Sequence, residues 1–388
     1  MTAASSPDLR HARPARAPAW LLPLALAAVL LAAPSSAQRF DWDALPAGRW
    51  VRVPTQGTPA PKVFHGGAAI APERSEVFFF GSDTHAPTPL ENGESNAVWR
   101  LNLETLAWSR DYEADPKNAS TYRLLEDGVT ETASGRPWAM HTFDAVEWDP
   151  AAGRLVVVSF PAHTRFEPEK RFPFFRGDWY KRLRPLHWEY DPDTKRWRRL
   201  EVNAPNLFAK ALCWDSDRKQ LIGHDGERTW HFDREAEGWS GYDAATEPGW
   251  HLVMVYDTRA RRALLLGNNK GSSVLYAYDP DRHEWSVVKV RGSCLPANGA
   301  AIAYDTRNGV MLYLANDYEN QYHNPTGRAV TFVYESAARA WRRLEIESPE
   351  LYGMNYLMQY DPVRNVFLHF EKTRSSGDRI AVWAFRYR

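Results

Sequence analysis

Histidine is the residue type in this sequence best suited to chemistry, because a neutral imidazole can accept a proton or bind a metal ion. The chain has 12 histidines. Those that fall between short apolar segments, outside the predicted strands and tight turns, are His65, His85, His141, His163, His224, His251 and His323. The pattern predicts a functional mouth built from loops, and chance enrichment in polar loops is the alternative.

The apolar segments come in pairs that are repeated along the chain, and the histidines occur at equivalent places in several copies of this pair. The position just before the first apolar segment of each copy is held by His65, His141, Lys210, His251, Asn298 and Asn355. His85 and His163 follow the second apolar segment of the first two copies. If the copies surround a common centre, these side chains line one opening, and we interpret them, with His323, as candidate ligand-binding residues.

An insertion at residues 161–186 places basic side chains beside aromatic ones. Its members are Arg165, Arg171, Arg176, Tyr180 and Lys181, with Phe172, Phe174, Phe175 and Trp179. Guanidinium groups bind carboxylate or sulfate, and aromatic rings cover the apolar faces of sugars. Arg171 and Trp179 are therefore candidate ligand-binding residues, while a lid that packs onto its own domain is the alternative.

The elements that would position these residues contain a tryptophan repeat. Five times, a hydrophobic or aromatic residue is followed seven positions later by Trp. The pairs are Leu101/Trp108, Tyr190/Trp197, Phe232/Trp239, Tyr278/Trp285 and Tyr334/Trp341. Turn-forming residues separate the two members, so each pair predicts a tight hairpin whose Trp packs between neighbouring units.

A second hairpin precedes each pair, as in residues 145–150 with 154–158 and residues 254–257 with 263–267. Its strands are nearly continuous apolar runs, which is typical of strands buried on both faces. The acidic residues at its turns, such as Asp149 and Asp257, are interpreted as turn formers. Four short strands per unit, repeated about every 40–50 residues, predict the blades of an all-β propeller.

Six blades account for the chain. The predicted blades cover residues 62–110, 140–200, 207–242, 250–290, 297–345 and 353–388, the last completed by residues 48–53. Pairing of residues 48–53 beside residues 380–386 would close the ring and remove two exposed sheet edges. A seventh blade within residues 109–140 is the alternative, although that segment lacks two clean hairpins.

Glycine near the end of the second strand, an aromatic residue in the third and Trp in the fourth resemble degenerate kelch repeats of the galactose-oxidase-like propellers. The usual glycine pair is reduced to the single residues Gly81, Gly223 and Gly267. The resemblance implies a six-bladed, kelch-like propeller over almost all of the chain. It implies short turns on one face and long loops with the binding residues on the other.

The first functional interpretation is a binding protein, for carbohydrate or another extracellular ligand. An enzymatic alternative is a polysaccharide lyase, which needs a base for the C5 proton of a uronate, an acid at the leaving oxygen and a cation for the carboxylate. His141 and His163 are similar to the paired histidines of propeller ulvan lyases. Those enzymes also use Tyr and Arg, for which Tyr242 and Arg165 are the candidates here.

A third interpretation is a metal site, because imidazoles bind zinc or copper. The four histidines of the first two blades could converge on a divalent ion, although no HxH or HExxH spacing is present. The copper-radical chemistry of galactose oxidase needs a Tyr–Cys crosslink, which the predicted positions of Cys213 and Cys294 do not favour. A sialic-acid epimerase similar to the bacterial kelch enzymes is a further alternative, and the remaining interpretations require no cofactor.

The first 37 residues have the features of a signal peptide. Three arginines precede an apolar run at residues 20–33, and small residues end at Ala37. The run is short for a membrane anchor, so we expect a secreted or periplasmic chain of residues 38–388. Its 45 basic and 47 acidic residues, from 48 of each in the whole sequence, disfavour a nucleic-acid partner. A closed ring buries its own core, so a monomer is expected.

Overall fold

Strands make up nearly all of the regular structure. The computed structural model describes residues 40–58, 65–81, 95–166, 168–246, 249–267, 271–317, 327–352, 354–371 and 380–388. These residues belong to one compact unit, Phe40–Arg388. Six antiparallel sheets have four strands each, and the first strands of successive sheets contact one another in a closed ring. The protein is an all-β, six-bladed β-propeller, which confirms the predicted fold class.

Within each blade the strands run outward from the centre and are labelled A to D. In blade 1 they are Gly67–Ala71, Glu76–Phe80, Trp99–Asn102 and Trp108–Arg110. In blade 2 they are Val146–Asp149, Arg154–Ser159, Leu186–Asp191 and Arg196–Leu200. In blade 3 they are Ala211–Asp215, Gln220–His224, Thr229–Asp233 and Gly238–Tyr242.

The second half of the ring repeats the arrangement. In blade 4 the strands are Val253–Asp257, Arg262–Leu266, Tyr276–Asp279 and Glu284–Val287. In blade 5 they are Ala301–Asp305, Val310–Asn316, Ala329–Glu335 and Ala340–Arg343. In blade 6 they are Met358–Asp361, Val366–Glu371, Ala381–Phe385 and, from the other end of the chain, Trp50–Val53.

The ring closes through the strand that precedes blade 1. Trp50–Val53 pairs antiparallel with Ala381–Phe385, with Trp50 opposite Phe385 and Val53 opposite Val382. The Trp50 indole is buried, and its nitrogen donates a hydrogen bond of 3.0 Å to the Thr331 hydroxyl in blade 5. The predicted closure is confirmed, and it holds the two ends of the described chain in one sheet.

Residues 109–140 do not form a seventh blade. They contribute one two-stranded hairpin, Tyr122–Leu124 paired with Thr130–Thr132. Helical segments are short: the 3-10 turns Pro72–Arg74, Ala162–Arg165 and Trp179–Arg182, and the single α-helical turn Pro168–Arg171. Across the described ranges, no helix is long and apolar enough to span a membrane.

The hydrophobic core is divided among the contacts between neighbouring blades. Five of the buried clusters in the described chain each join side chains of two adjacent blades, and a sixth joins blades 4 and 5 to Phe143, Ala209 and Tyr356 at the channel. The D-strand tryptophans take part: Trp197 contacts Phe80 of blade 1 at 4.9 Å, and Trp285 contacts His224 of blade 3 at 4.7 Å. The repeated Trp therefore serves interblade packing, as the spacing predicted.

The turns between strands A and B follow one rule. Each connection has four residues, and in five blades the last residue of strand A is Asp, whose Oδ1 accepts the backbone N–H groups two and three residues later. These residues are Asp149, Asp215, Asp257, Asp305 and Asp361. Such a carboxylate stabilises its own turn, which confirms the structural interpretation of these residues.

Candidate functional site

The A strands begin at a ring of backbone hydrogen bonds around the central channel. At this level the N–H of one blade donates to a carbonyl of the blade before it, at distances of 2.7–3.2 Å. The bonds run from Phe143 to His65, from His251 to Ala209, from Gly299 to His251 and from Asn355 to Gly299. The side chains that follow therefore share one end of the channel, which we call the loop end.

The same level carries an unusual backbone conformation. Phe143, Ala209 and His251 have φ values of 51°, 54° and 63°, and Gly299 has 63° at the corresponding place in blade 5. A residue with a Cβ in this left-handed region costs on the order of 1 kcal/mol. Three such residues are retained at the loop end, and strain of this kind is concentrated at functional sites.

Three histidines form a stack at the loop end. The ring centroids of His65 and His141 are 4.2 Å apart with an interplanar angle of 12°, and those of His141 and His163 are 4.3 Å apart with an angle of 13°. His141 and His163 are fully buried, and Phe143 meets His141 edge-on at 5.3 Å. Two adjacent positive charges at about 4 Å would repel by roughly 4 kcal/mol at an effective dielectric of 20, so the stack favours neutral rings that can accept protons or hydrogen bonds.

A fourth imidazole lies beyond Phe143. The Phe143 ring meets His251 edge-on at 5.4 Å, and His251 Nδ1 lies 2.8 Å from the Tyr356 hydroxyl. Burial, helped by the neighbouring His65 and Lys210, lowers the pKa of His251 to about 3. His251 is therefore neutral at physiological pH.

An ammonium and an exposed indole complete the wall between blades 3 and 4. Lys210 donates a hydrogen bond to the Gly249 carbonyl, and its Nζ lies 5.7 Å from the ring centroid of Trp250. Trp250 is 49% exposed and meets Phe208 edge-on at 6.0 Å. Phe208 in turn lies 6.1 Å from His141, in a parallel orientation. One phenyl ring therefore connects the indole to the histidine stack.

The two predicted asparagines, Asn298 and Asn355, have different surroundings. Asn355 donates from Nδ2 to the Phe370 carbonyl at 3.0 Å, and its Oδ1 accepts the Leu357 N–H at 2.7 Å. These bonds join the start of strand A to strand B of blade 6, so Asn355 has a structural role. Asn298 is 7% exposed, and within the described chain its Oδ1 has no hydrogen-bond partner, so this oxygen can accept a bond from a ligand.

The insertion packs mainly on itself. Trp179 is 4% exposed and lies with Phe172 and Phe175 against Trp138, which is stacked on Phe172 at 4.9 Å. The structure therefore does not present Trp179 to a ligand, because burying these aromatic surfaces is more favourable than exposing them. Arg171 donates a 3.0 Å hydrogen bond to a backbone carbonyl of the same insertion.

Arg165 and Tyr242 have different surroundings. Arg165 is exposed, two residues beyond His163, with its guanidinium 5.6 Å from the Phe160 ring. Tyr242 ends the outermost strand of blade 3, and its ring stacks on His283 of blade 4 at 3.6 Å. The structure therefore does not bring Tyr242 to the loop end, because a D strand lies at the edge of the blade farthest from the channel. His85 and His323 lie outside the described residues.

Sequence reasoning missed the apolar half of the site. Each of its aromatic residues lies within two positions of a predicted site residue. Phe143 follows His141, Phe208 precedes Lys210, Tyr356 follows Asn355, and Trp250 directly precedes His251. Aromatic residues beside the repeated loop position were the available signal. Their contacts cross between blades, so their grouping depends on the ring.

The other end of the channel opens among the A–B turns and contains a cavity of about 230 Å³. Phe143 and Tyr356 separate it from the histidines. Its wall includes the carboxyl groups of Asp144 and Glu147, and none of its described lining residues is Lys, Arg or His. Asp144 Oδ2 accepts the Met254 N–H at 2.9 Å. Burial raises the pKa of Asp144 and raises that of Glu147 to about 7. We call this cavity the turn end.

Comparison with known proteins adds no family to this description. No protein-family model matches the sequence, and a search of curated proteins finds no significant match. In the part of the chain that the structure describes, no group of three or more His, Cys, Asp or Glu side chains is arranged to hold a metal ion. The fold and the channel define a six-bladed propeller of a kind compatible with ligand binding.

Proposed function

We propose that this protein binds a carbohydrate at the loop end of its channel. Sugars present apolar ring faces together with hydroxyl groups, and protein sites for them combine aromatic surfaces with a few polar groups. The observation that carries the proposal is the exposed indole of Trp250, joined through Phe208 to the stack of His65, His141 and His163. His65, the partly exposed member of the stack, can exchange hydrogen bonds with sugar hydroxyl groups, and the buried His141 and His163 hold it in place.

The proposed setting is extracellular or periplasmic. Residues 1–37 carry the signal-peptide pattern, and the near balance of basic and acidic residues fits a partner other than nucleic acid. A ring closed through its own terminal strands needs no second copy to cover a sheet edge, which supports a monomer.

Binding is tested by calorimetry of the purified protein against a panel of neutral and acidic oligosaccharides. Trp250→Ala removes the exposed ring, and we expect about a tenfold loss of affinity, as for loss of one stacking contact of roughly 1.4 kcal/mol. Val363→Ala, which alters an exposed apolar residue in an A–B turn, is the matched control. Saturable binding that Trp250→Ala leaves unchanged would exclude this mouth as the site.

A polysaccharide lyase is the second candidate, favoured by the 4.3 Å separation of the His141 and His163 rings and the exposed Arg165 beside them. In β-elimination a base takes the C5 proton of the uronate, a double bond forms between C4 and C5 as the bond from C4 to the leaving oxygen breaks, and that oxygen gains a proton. Arg165 would neutralise the uronate carboxylate. Tyr242 has no part in this version, because of its place at the blade edge.

The lyase is tested by following ultraviolet absorbance of unsaturated sugar ends with uronate polymers, with and without chelator. Activity that His163→Gln abolishes, with the circular dichroism spectrum unchanged, would establish turnover at the loop end. A chelator-sensitive rate would indicate that a divalent metal assists. Saturable binding of the same polymers with no absorbance change would leave the binding function and exclude the lyase.

We further propose that the blades are divergent kelch repeats. In support, Gly81 and Gly267 directly follow strand B of their blades, with φ values of 120° and 100°. A Cβ at Gly267 would lie 2.9 Å from the His251 carbonyl oxygen, and one at Gly81 would lie 2.5 Å from the Thr142 hydroxyl. Glycine at this place lets the segment before an A strand approach, that of the next blade at Gly81 and that of the same blade at Gly267, which gives the repeated residue a physical purpose.

A further inference from the structure

We propose that Lys210 and Trp250 form the subsite for an anionic sugar residue, in which Lys210 binds a carboxylate or sulfate group and Trp250 covers the sugar ring. This subsite rests on the proposed carbohydrate function and narrows it to acidic glycans.

Among the described residues, no acidic side chain forms an ion pair with Lys210. Within the described chain, no carboxylate lies at ion-pair distance from its ammonium, although Asp225 and Glu227 act on it at longer range. The Asp225 carboxylate instead accepts the N–H groups of Glu227 and Arg228 and the indole N–H of Trp230. Asp225 is therefore engaged in its own turn. A half-buried ammonium in this position favours an anion supplied by a ligand.

The ammonium is held in place by backbone. It donates to the Gly249 carbonyl on one side. On the other side is Gly226, where a Cβ would lie only 3.1 Å from Nζ. The two glycines belong to different loops of the same face, so the charge is positioned before any ligand arrives. Pre-positioning of this kind lowers the entropic cost of binding.

The surroundings of Lys210 combine an aromatic ring with the more distant carboxylates of Asp225 and Glu227. The Trp250 ring gives the ammonium an apolar border on one side, which strengthens its interaction with an anion relative to open water. The groups that act on His251 beside it are His65 and Lys210, and neither is acidic. The acids of the channel, Asp144 and Glu147, line the turn end beyond Phe143. The loop end therefore favours negative charge in its ligand.

The stacking half of the subsite is Trp250. Its ring is half exposed while its edge contact with Phe208 limits its motion, and the Lys210 ammonium lies within 6 Å of the same ring. A sugar residue over the indole would therefore carry its acidic substituent within reach of Lys210. A neutral sugar would use the ring alone.

The test uses matched pairs of oligosaccharides that differ only in charge. One pair is tetragalacturonate and its fully methyl-esterified form, and the other is a sulfated galactan tetramer and its desulfated form. Affinities are measured by calorimetry for the natural protein, Lys210→Met, Trp250→Ala and the control Lys219→Met. Lys219 is exposed in the A–B turn of the same blade, so its variant removes an equal charge from the opposite face.

We expect the natural protein to bind the acidic member of at least one pair about tenfold more tightly than its neutral partner, as for one charge-assisted contact. Lys210→Met should abolish that preference while keeping the affinity for the neutral member, and Lys219→Met should keep both. Trp250→Ala should weaken both members. Preference in only one pair identifies the anion as carboxylate or sulfate.

Two outcomes would overturn the subsite, and they are distinguishable from failure of the carbohydrate function. Equal affinity for the two members of each pair would leave a sugar site without selection for charge. A preference for the acidic member that survives in Lys210→Met would assign the selection to another residue. Absence of binding to all four oligosaccharides would reject the carbohydrate function, and the subsite with it.

Discussion

The two ends of the channel are built on the same six strands and have opposite chemistry. The loop end gathers imidazoles, an ammonium and an exposed indole, whereas the turn end holds two carboxyl groups and no described basic side chain. Phe143 and Tyr356 form the boundary, since each lines the turn-end cavity and also contacts His251.

The difference follows from the connections at each end. The A–B turns have four residues and use their Asp side chains on their own backbone, so little of their chemistry is left for a ligand. The longer connections at the loop end carry side chains that are not needed for turn geometry. In this propeller the A–B turns at one end of the channel therefore serve mainly stability, and the longer loops at the other end are available for recognition.

The largest expected effect on stability comes from removing the Phe143 ring, which lies at the boundary between the two ends of the channel. Phe143→Ala should lower the free energy of unfolding by about 3–4 kcal/mol, because a buried phenyl ring at the meeting point of His65, His141, Phe208 and His251 would leave a cavity. Chemical denaturation measures the loss, and Phe143→Leu, which keeps most of the volume, should lose less than about 1.5 kcal/mol. A change below 1 kcal/mol in Phe143→Ala would show that the two ends are not divided by this ring.

An effect of intermediate size is expected at the turn end, where the contribution of Glu147 to stability should depend on pH. Burial raises the pKa of Glu147 to about 7 from an ordinary value of 4.5, so the folded state binds this proton more tightly than the unfolded state. The resulting contribution to stability is fully present below pH 4.5 and is lost as the pH rises through 7. Glu147→Gln does not titrate. Its stability relative to the natural protein should therefore rise by about 2 kcal/mol between pH 4.5 and 8, allowing for partial exposure in the channel.

Denaturation curves at several pH values measure this difference, and Glu131→Gln serves as a control at a carboxyl group outside the channel. A gap between Glu147→Gln and the natural protein that stays constant with pH would mean that folding leaves the pKa of Glu147 at its ordinary value. In that case the turn end would be an anionic cavity at neutral pH.

The smallest expected effect is on stability at the loop end, where we expect Lys210 to matter for binding and little for the free energy of unfolding. Lys210→Met should change the free energy of unfolding by less than about 1 kcal/mol, and in the stabilising direction, because it replaces a half-buried ammonium, which forms no ion pair with a described residue, by an apolar group of similar shape. Thermal denaturation at neutral pH measures the change. A loss greater than 1 kcal/mol would assign Lys210 to the framework of the fold rather than to recognition.

Much of the fold could be predicted because the repeat encodes local geometry. The spacing of aromatic residues and Trp gave the outer hairpins, and Asp at the end of strand A gave the inner turns, as with Asp257. The return of Trp50–Val53 to blade 6 followed from one missing strand. The equivalence of His65 and His251 also followed, because each lies six residues before the end of its A strand, whereas in blade 2 Phe143 holds that position and His141 lies two residues earlier.

The rest of the site depends on which blades and loops come together in space. Trp179 has the composition of a ligand contact and is buried against Trp138, since the insertion could cover its own aromatic surface. Tyr242 reached the blade edge because its strand is the fourth from the channel. Neither outcome is visible in residue type or spacing.

The sequence by itself determined the four-stranded units, their number and the closure of the ring, because hydrogen-bonded hairpins and buried strands impose short-range patterns. Only the tertiary structure decided that His65, His141 and His163 stack, that Phe208 joins them to Trp250, and that Phe143 divides the channel. Those contacts join residues of different blades, whose distances are set by the packing of the ring and not by separation along the chain.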